Sequence, residues 1–134
     1  LQLNLGHKFI DIGQMSGMSK TDWSWSPLFA DFDNDGFQDL YVSNGYLRDL
    51  RDNDFTIKYD RGIQISKEFK SFDEIIELIP TSKTHNYIYQ NNGDLTFDKK
   101  SNEWGLEELI NVNGAAYADL DNDGDLDLVC NASD

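Results

Sequence analysis

Cysteine is nearly absent. Cys130 stands alone, so no internal disulfide can form, and it says nothing about the redox compartment. In an apolar, strand-like run it is expected to be a small buried side chain rather than a nucleophile. Basic residues are scarce as well: 11 Lys and Arg face 25 Asp and Glu, for a formal charge of −14. A surface of that sign repels phosphate, and with no Lys/Arg cluster nucleic acid is excluded as a partner class. No apolar run approaches the roughly 18 residues of a membrane span. Nor does the start of the segment show the basic patch and apolar core of a signal peptide. The two histidines, His7 and His85, stand apart from any catalytic constellation. The 134 residues leave room for one modest domain or a piece of a larger one.

What the chain has instead is aspartate at regular spacing. Asp31-Phe32-Asp33-Asn34-Asp35-Gly36-Phe37-Gln38-Asp39-Leu40 returns as Asp119-Leu120-Asp121-Asn122-Asp123-Gly124-Asp125-Leu126-Asp127-Leu128. Nine of the acidic residues sit in these two loops, four in the first and five in the second. Carboxylates at positions 1, 3, 5 and 9 of a short loop repel one another, and a cation at their centre relieves this. Hard oxygen ligands point to Ca²⁺, with Mg²⁺ a weaker competitor because it demands tight octahedral geometry. Glycine at position 6 allows the sharp turn that lets position 7 offer its carbonyl and position 9 return to the ion.

An EF-hand needs a bidentate Glu at position 12 and flanking helices. Position 12 is Val42 in the first loop and Cys130 in the second, and the flanking residues are β-formers, so each loop is expected to join two strands. The plainer alternative is an Asp/Asn/Gly turn that binds nothing. Two copies with one D-x-D-N-D-G-x-x-D spacing favour the ion.

A shift of 88 residues superimposes the two halves: Phe9 on Phe97, Gly17 on Gly105, Ala30 on Ala118 and Leu40 on Leu128. Between the copies, 46–84 is charged and of helical periodicity. Without these 39 residues the period is 88 − 39 = 49, close to the roughly 40 to 50 of a four-stranded propeller blade. Helices are expected over 47–59 and, with capping-box spacing at Ser71-Phe72-Asp73-Glu74 and a stop at Pro80, over 71–79. The apolar stripe of Phe72, Ile75, Ile76 and Ile79 is expected to pack on a sheet, or less simply to bind a partner.

Strands are expected over 8–12, 28–32, 39–43, 86–90, 95–98, 115–120 and 126–130, with Asn91-Asn92-Gly93-Asp94 as a tight hairpin turn. Trp23 and Trp25 are expected to fill space between sheets; stacking on a sugar ring is the sharper alternative. The fold expected is all-β with a small helical insert, a fragment of a β-propeller with one complete four-stranded blade and parts of two neighbours. Residues 1–45 end one blade and begin the next, 46–84 form the insert, and 85–134 complete that blade and open another.

The stretch from Phe29 to Val42, followed after the insert by Asn86-Tyr87-Ile88-Tyr89-Gln90-Asn91-Asn92-Gly93-Asp94-Leu95-Thr96-Phe97, resembles the FG-GAP/VCBS repeat. That repeat builds the seven-bladed propellers of integrin α-chains and of many bacterial secreted proteins, and the insert with its hairpin is similar to large bacterial surface proteins, some of the ASPIC/UnbV-associated type. The resemblance implies two Ca²⁺ sites. Asp31, Asp33, Asp35 and Asp39 with the carbonyl of Phe37 would hold the first; Asp119, Asp121, Asp123 and Asp127 with the carbonyl of Asp125 would hold the second. The minimal repeat lacks the 39-residue insert, and a whole propeller needs more blades than are present.

The function expected is a non-enzymatic, calcium-binding scaffold outside the cytoplasm, at a cell surface or secreted, that binds glycan or protein ligands. The alternative is part of a polysaccharide-degrading enzyme built on a propeller, which would need a positioned acid and base. Further partners are the remaining blades of a longer chain, or a second copy paired through open edge strands.

Overall fold

The computed structural model describes residues 1–49 and 79–133, with isolated positions 53, 54, 57, 60, 73, 76 and 77. Its strands are β1 (Gln2–Asn4), β2 (Phe9–Asp11), β3 (Ser24–Ala30), β4 (Asp39–Asn44), β5 (Tyr87–Asn91), β6 (Phe97–Lys99), β7 (Asn111–Ala118) and β8 (Asp127–Ser133). They form antiparallel sheets: β1-β2, the four-stranded β3-β4-β5-β6, and β7-β8. The central sheet runs in chain order, as in one propeller blade. Two compact units divide the chain, one of Leu1–Gly45 with Thr84–Asp134, the other of Tyr46–Lys83.

Strand β4 is buried along its whole length because strands flank both edges and side chains cover both faces. Leu40 and Val42 point to one face, where they form a core with Met18 and Tyr89, and Tyr87 and Phe97 close over it. Tyr41 points to the other face opposite Ile88; both are buried, as is Val112 of β7. Period-2 alternation thus feeds two cores rather than one core and solvent, which is why β4 reads as a nearly continuous run of β-formers.

The 88-residue repeat is written into the backbone. Strands β2 and β6 lie 88 residues apart, and the turns after them repeat three hydrogen bonds. Ser16 N–H to Ile12 O matches Trp104 N–H to Lys100 O, Gly17 to Gln14 matches Gly105 to Asn102, and Met18 to Gly13 matches Leu106 to Ser101. Gly17 and Gly105 share a φ of 82°. The β1-β2 hairpin therefore occupies in the preceding repeat the place that β5-β6 occupies in the central sheet, adding β1 to the single strand expected there.

Several expectations are corrected. The expected helical insert lies mostly outside the described residues: no helix is among the described elements, but within and beside the stretches 47–59 and 71–79 the isolated described positions 53, 54, 57, 60, 73, 76 and 77 are helical. The apolar stripe falls outside the described residues too, apart from Ile76 and Ile79. Strand β3 begins four residues before the expected start at 28, through a register shift between Ser24 and Pro27. An edge strand tolerates that proline, and the Ser43 hydroxyl accepts the Ser26 N–H (3.0 Å) where the ladder is broken. A similar shift lies between Val112 and Gly114 in β7. The hairpin turn is longer than a two-residue Asn-Gly turn, with Asn92 N–H on Thr96 O and left-handed backbone at Gly93 and Leu95.

Trp23 and Trp25 do not fill a core. They remain 38% and 49% exposed; their rings are tilted by 53°, and the Trp25 Nε1–H donates to Gly45 O. Cys130 is also exposed, on β8, with its Sγ 3.3 Å from the Tyr41 hydroxyl.

A belt of polar groups joins the sheets where no core residue could. Asn44 N–H donates to Asn86 Oδ1, the Asn44 amide donates to His85 O, and the Asn86 amide donates to Ile110 O just before β7. Asn44, Asn86 and Asn111 are all buried. Satisfied networks of this kind fix one arrangement because any slip strands a buried amide.

Close backbone packing beside that belt predicts a sensitive site. A Cβ on Gly45 would stand 2.7 Å from Val112 N and 3.0 Å from backbone atoms of Asn111. Gly45→Ala should therefore lower unfolding stability by about 1–3 kcal/mol, read as a lower urea midpoint at unchanged slope; an unchanged midpoint would show that the two backbones do not meet there. Burial, reinforced by its contact with Cys130, pushes the Tyr41 phenol well above its ordinary range, and burial also raises Tyr89. A raised phenol contributes stability that is complete below the unfolded pKa of about 10 and lost as pH rises beyond it. Alkaline titration of the melting temperature should fall above about pH 10, and Tyr41→Phe should flatten the fall.

Candidate metal centre

Each aspartate loop links the first two strands of its sheet, so β3-β4 and β7-β8 carry identical turns. Asn34 and Asn122 take left-handed φ angles of 59° and 64°, and Gly36 and Gly124 take 92° and 99°. Asparagine tolerates that region because its short side chain adds little steric conflict, and glycine has none.

The first task of the carboxylates is to cap the turn. Asp31 accepts the N–H groups of Asp35 (3.1 Å) and Gly36 (2.9 Å), Asp35 accepts that of Phe37, and Asp39 accepts that of Phe32. In the second loop Asp119 accepts Asp123 and Gly124, Asp123 accepts Asp125, and Asp127 accepts Leu120, all between 2.9 and 3.2 Å. The lone pairs left over converge. Asp31, Asp33 and Asp39 each place a carboxylate oxygen within 4.8 Å of the others, and so do Asp119, Asp121 and Asp127. Among the described residues these are the groups of three or more His, Cys, Asp or Glu side chains able to share an ion, and neither contains a histidine.

Of the expected ligands, then, positions 1, 3 and 9 of both loops are gathered. Asp35 and Asp123, at position 5, lie outside the triads and hold the turn at position 7 instead. Phe37 is 48% exposed, with its ring against the hairpin turn, where a Cβ on Gly93 would stand 2.8 Å from Phe37 Cζ. Asp125 turns its side chain toward the first loop. The donor set, three carboxylates from a hard-oxygen loop, fits a cation of the Ca²⁺ class.

Asp39 is the best connected of them. It is fully buried; Oδ2 accepts Phe32 N–H (3.0 Å) and Oδ1 accepts Asn91 N–H (2.9 Å) from β5. Burial holds its carboxyl above the usual range; the N–H groups of Asn91 and Phe32 oppose this, and the charges of Asp33 and Asp35 add to it. A cation between the carboxylates acts in the opposite sense by favouring the charged form.

Residues read from the sequence only as hairpin turn and strand also reach the loop. The Gln90 amide donates to Asp33 Oδ2 (2.5 Å), and the Asn91 amide donates to Gln38 O (2.9 Å). The one sequence signal for them was polar side chains at the end of a strand otherwise rich in tyrosine. His7, whose Nδ1 lies 3.2 Å from Leu5 O, and His85, which stacks near Tyr87, belong to neither group.

Asp39 serves two elements besides the loop, so its loss should register even with chelator present. In EDTA, Asp39→Ala should lower unfolding stability by about 1–3 kcal/mol, because it strands two N–H groups. Asp127→Ala, at an exposed position with one N–H partner, should lower it less. Equal losses in urea titrations would contradict this difference in bracing.

Compared with known proteins, the FG-GAP-like repeat family matches residues 72–130, a span that takes in the β5-β6 hairpin and the whole second loop. No curated protein and no solved structure matches the chain.

Proposed function

With residues 72–130 carrying an FG-GAP-like repeat, we propose that the chain is a calcium-binding propeller-repeat module, a non-enzymatic scaffold acting outside the cytoplasm on glycan or protein ligands. The single observation that carries the reading is the convergence of three carboxylates at loop positions 1, 3 and 9, twice, at one 88-residue interval. Like charges held that close in two independent turns are what a divalent cation stabilises. The turn, capped by its own aspartates, brings the ligand side chains near one another before an ion arrives and leaves the ion to fix them.

Affinity in such exposed loops belongs to the roughly 10⁻⁴ to 10⁻³ M class of extracellular modules. Millimolar calcium fills it and cytosolic calcium does not, which is the ground for the compartment proposed. Two ions would reduce the formal charge from −14 to −10 and tie β3 to β4 and β7 to β8. Further strands of a longer chain or a second copy complete the picture, since among the described residues β8 pairs with β7 alone.

The test is thermal. Chelation should lower the melting temperature, and millimolar Ca²⁺ should restore it by several degrees for about 1–2 kcal/mol of linkage. Asp33→Ala combined with Asp121→Ala should abolish the response. A melting curve indifferent to EDTA and to added Ca²⁺ would sink the proposal.

A further inference from the structure

The two acidic loops are joined. The side-chain amide of Asn34 donates to Asp125 Oδ1 at 2.6 Å, across 91 residues of sequence. Asn34 is position 4 of the first loop, between Asp33 and Asp35, with its backbone in the left-handed region at φ 59°. Asp125 is position 7 of the second, and its own N–H donates to Asp123 Oδ1. Both partners are exposed residues of tight turns, so the bridge spans the gap between neighbouring sheets at their ion loops.

We propose that this bridge couples the two loops, so that an ion held in either one raises the affinity of the other. The inference rests on the reading of both loops as Ca²⁺ sites. An ion drawn to Asp31, Asp33 and Asp39 immobilises the segment that carries Asn34. The amide is then presented in one orientation to Asp125, and the turn of the second loop is restricted before its own ion arrives. Binding there loses less conformational freedom, and by linkage the effect runs equally in the other direction. Direct electrostatics acts against this, since each bound cation weakens the negative field felt by the other. At about 0.15 M salt, with a Debye length of about 8 Å, screening diminishes that opposition, while a hydrogen bond in contact is screened far less.

The experiment titrates the protein with Ca²⁺ alone at that ionic strength, by calorimetry and by the shift in melting temperature. Asp121→Ala removes a ligand of the second loop. It should weaken binding at the first loop about threefold, the scale of one hydrogen bond between exposed groups. In an Asn34→Gly background, which keeps the left-handed turn and removes the donor, the same substitution should leave the first loop unchanged. Asp125→Ala, which removes the acceptor and keeps the backbone carbonyl at position 7, should uncouple the loops in the same way and serves if the glycine variant does not fold.

First-loop affinity that is unaffected by Asp121→Ala, or a threefold loss that persists without Asn34, overturns the coupling while leaving the metal reading intact. Absence of any Ca²⁺ response in the unaltered protein overturns both.

Discussion

Two carboxylate oxygens on Asp39 hold three pieces of chain together: the start of its own loop through Phe32, the loop's return into β4, and the β5 end of the neighbouring hairpin through Asn91. A buried acceptor of this kind is costly to desolvate and is stabilised only when its donors are held in place. The geometry of the central sheet therefore depends on backbone N–H groups aimed at one side chain. Placing Asp39 at the first residue of β4 couples loop order to strand order, so the most buried of the described strands begins at a member of the carboxylate triad.

Around that point two kinds of constraint divide the work. Apolar packing on both faces of β4 sets the depth of the sheet: Leu40 and Val42 meet Met18 and Tyr89 on one side, and Tyr41 lies with Ile88 and Val112 buried on the other. Such packing is non-directional, so by itself it leaves the lateral placement of neighbouring sheets loose. The asparagine belt of Asn44, Asn86 and Asn111 supplies direction, because each amide has geometrically fixed donors and acceptors. The Asn34 to Asp125 bridge extends the same principle to the loop end of the sheets.

The aspartates have two roles that are easily conflated. Asp31, Asp35, Asp119 and Asp123 build the turn by accepting backbone N–H groups, as Asp residues do in turns that bind no ion. Asp33 joins in more weakly, accepting the Asp35 N–H at 3.3 Å as well as the Gln90 amide, and Asp33 and Asp121 each add the third oxygen to a group otherwise satisfied by backbone. The same third carboxylate recurs in both loops, 88 residues apart.

By itself the sequence determined what is local and repeated. Alternating β-formers on either side of each loop set strand type, the glycine and asparagine positions set left-handed turns, and the 88-residue offset set which segments share a conformation. All of these depend on residues a few positions apart. The four-stranded order followed, because consecutive antiparallel strands with short connections have few other arrangements. The tertiary structure alone decided what depends on residues far apart in the chain. Trp25 stays 49% exposed where a place between sheets was expected, and Pro27 was accommodated in a longer β3 because that strand lies at the edge of its sheet. Only proximity across 52 and 91 residues revealed that Asn91 holds Asp39 and that Asn34 reaches Asp125. A hydrogen bond between distant side chains leaves no periodicity behind, since either residue alone reads as an ordinary polar turn.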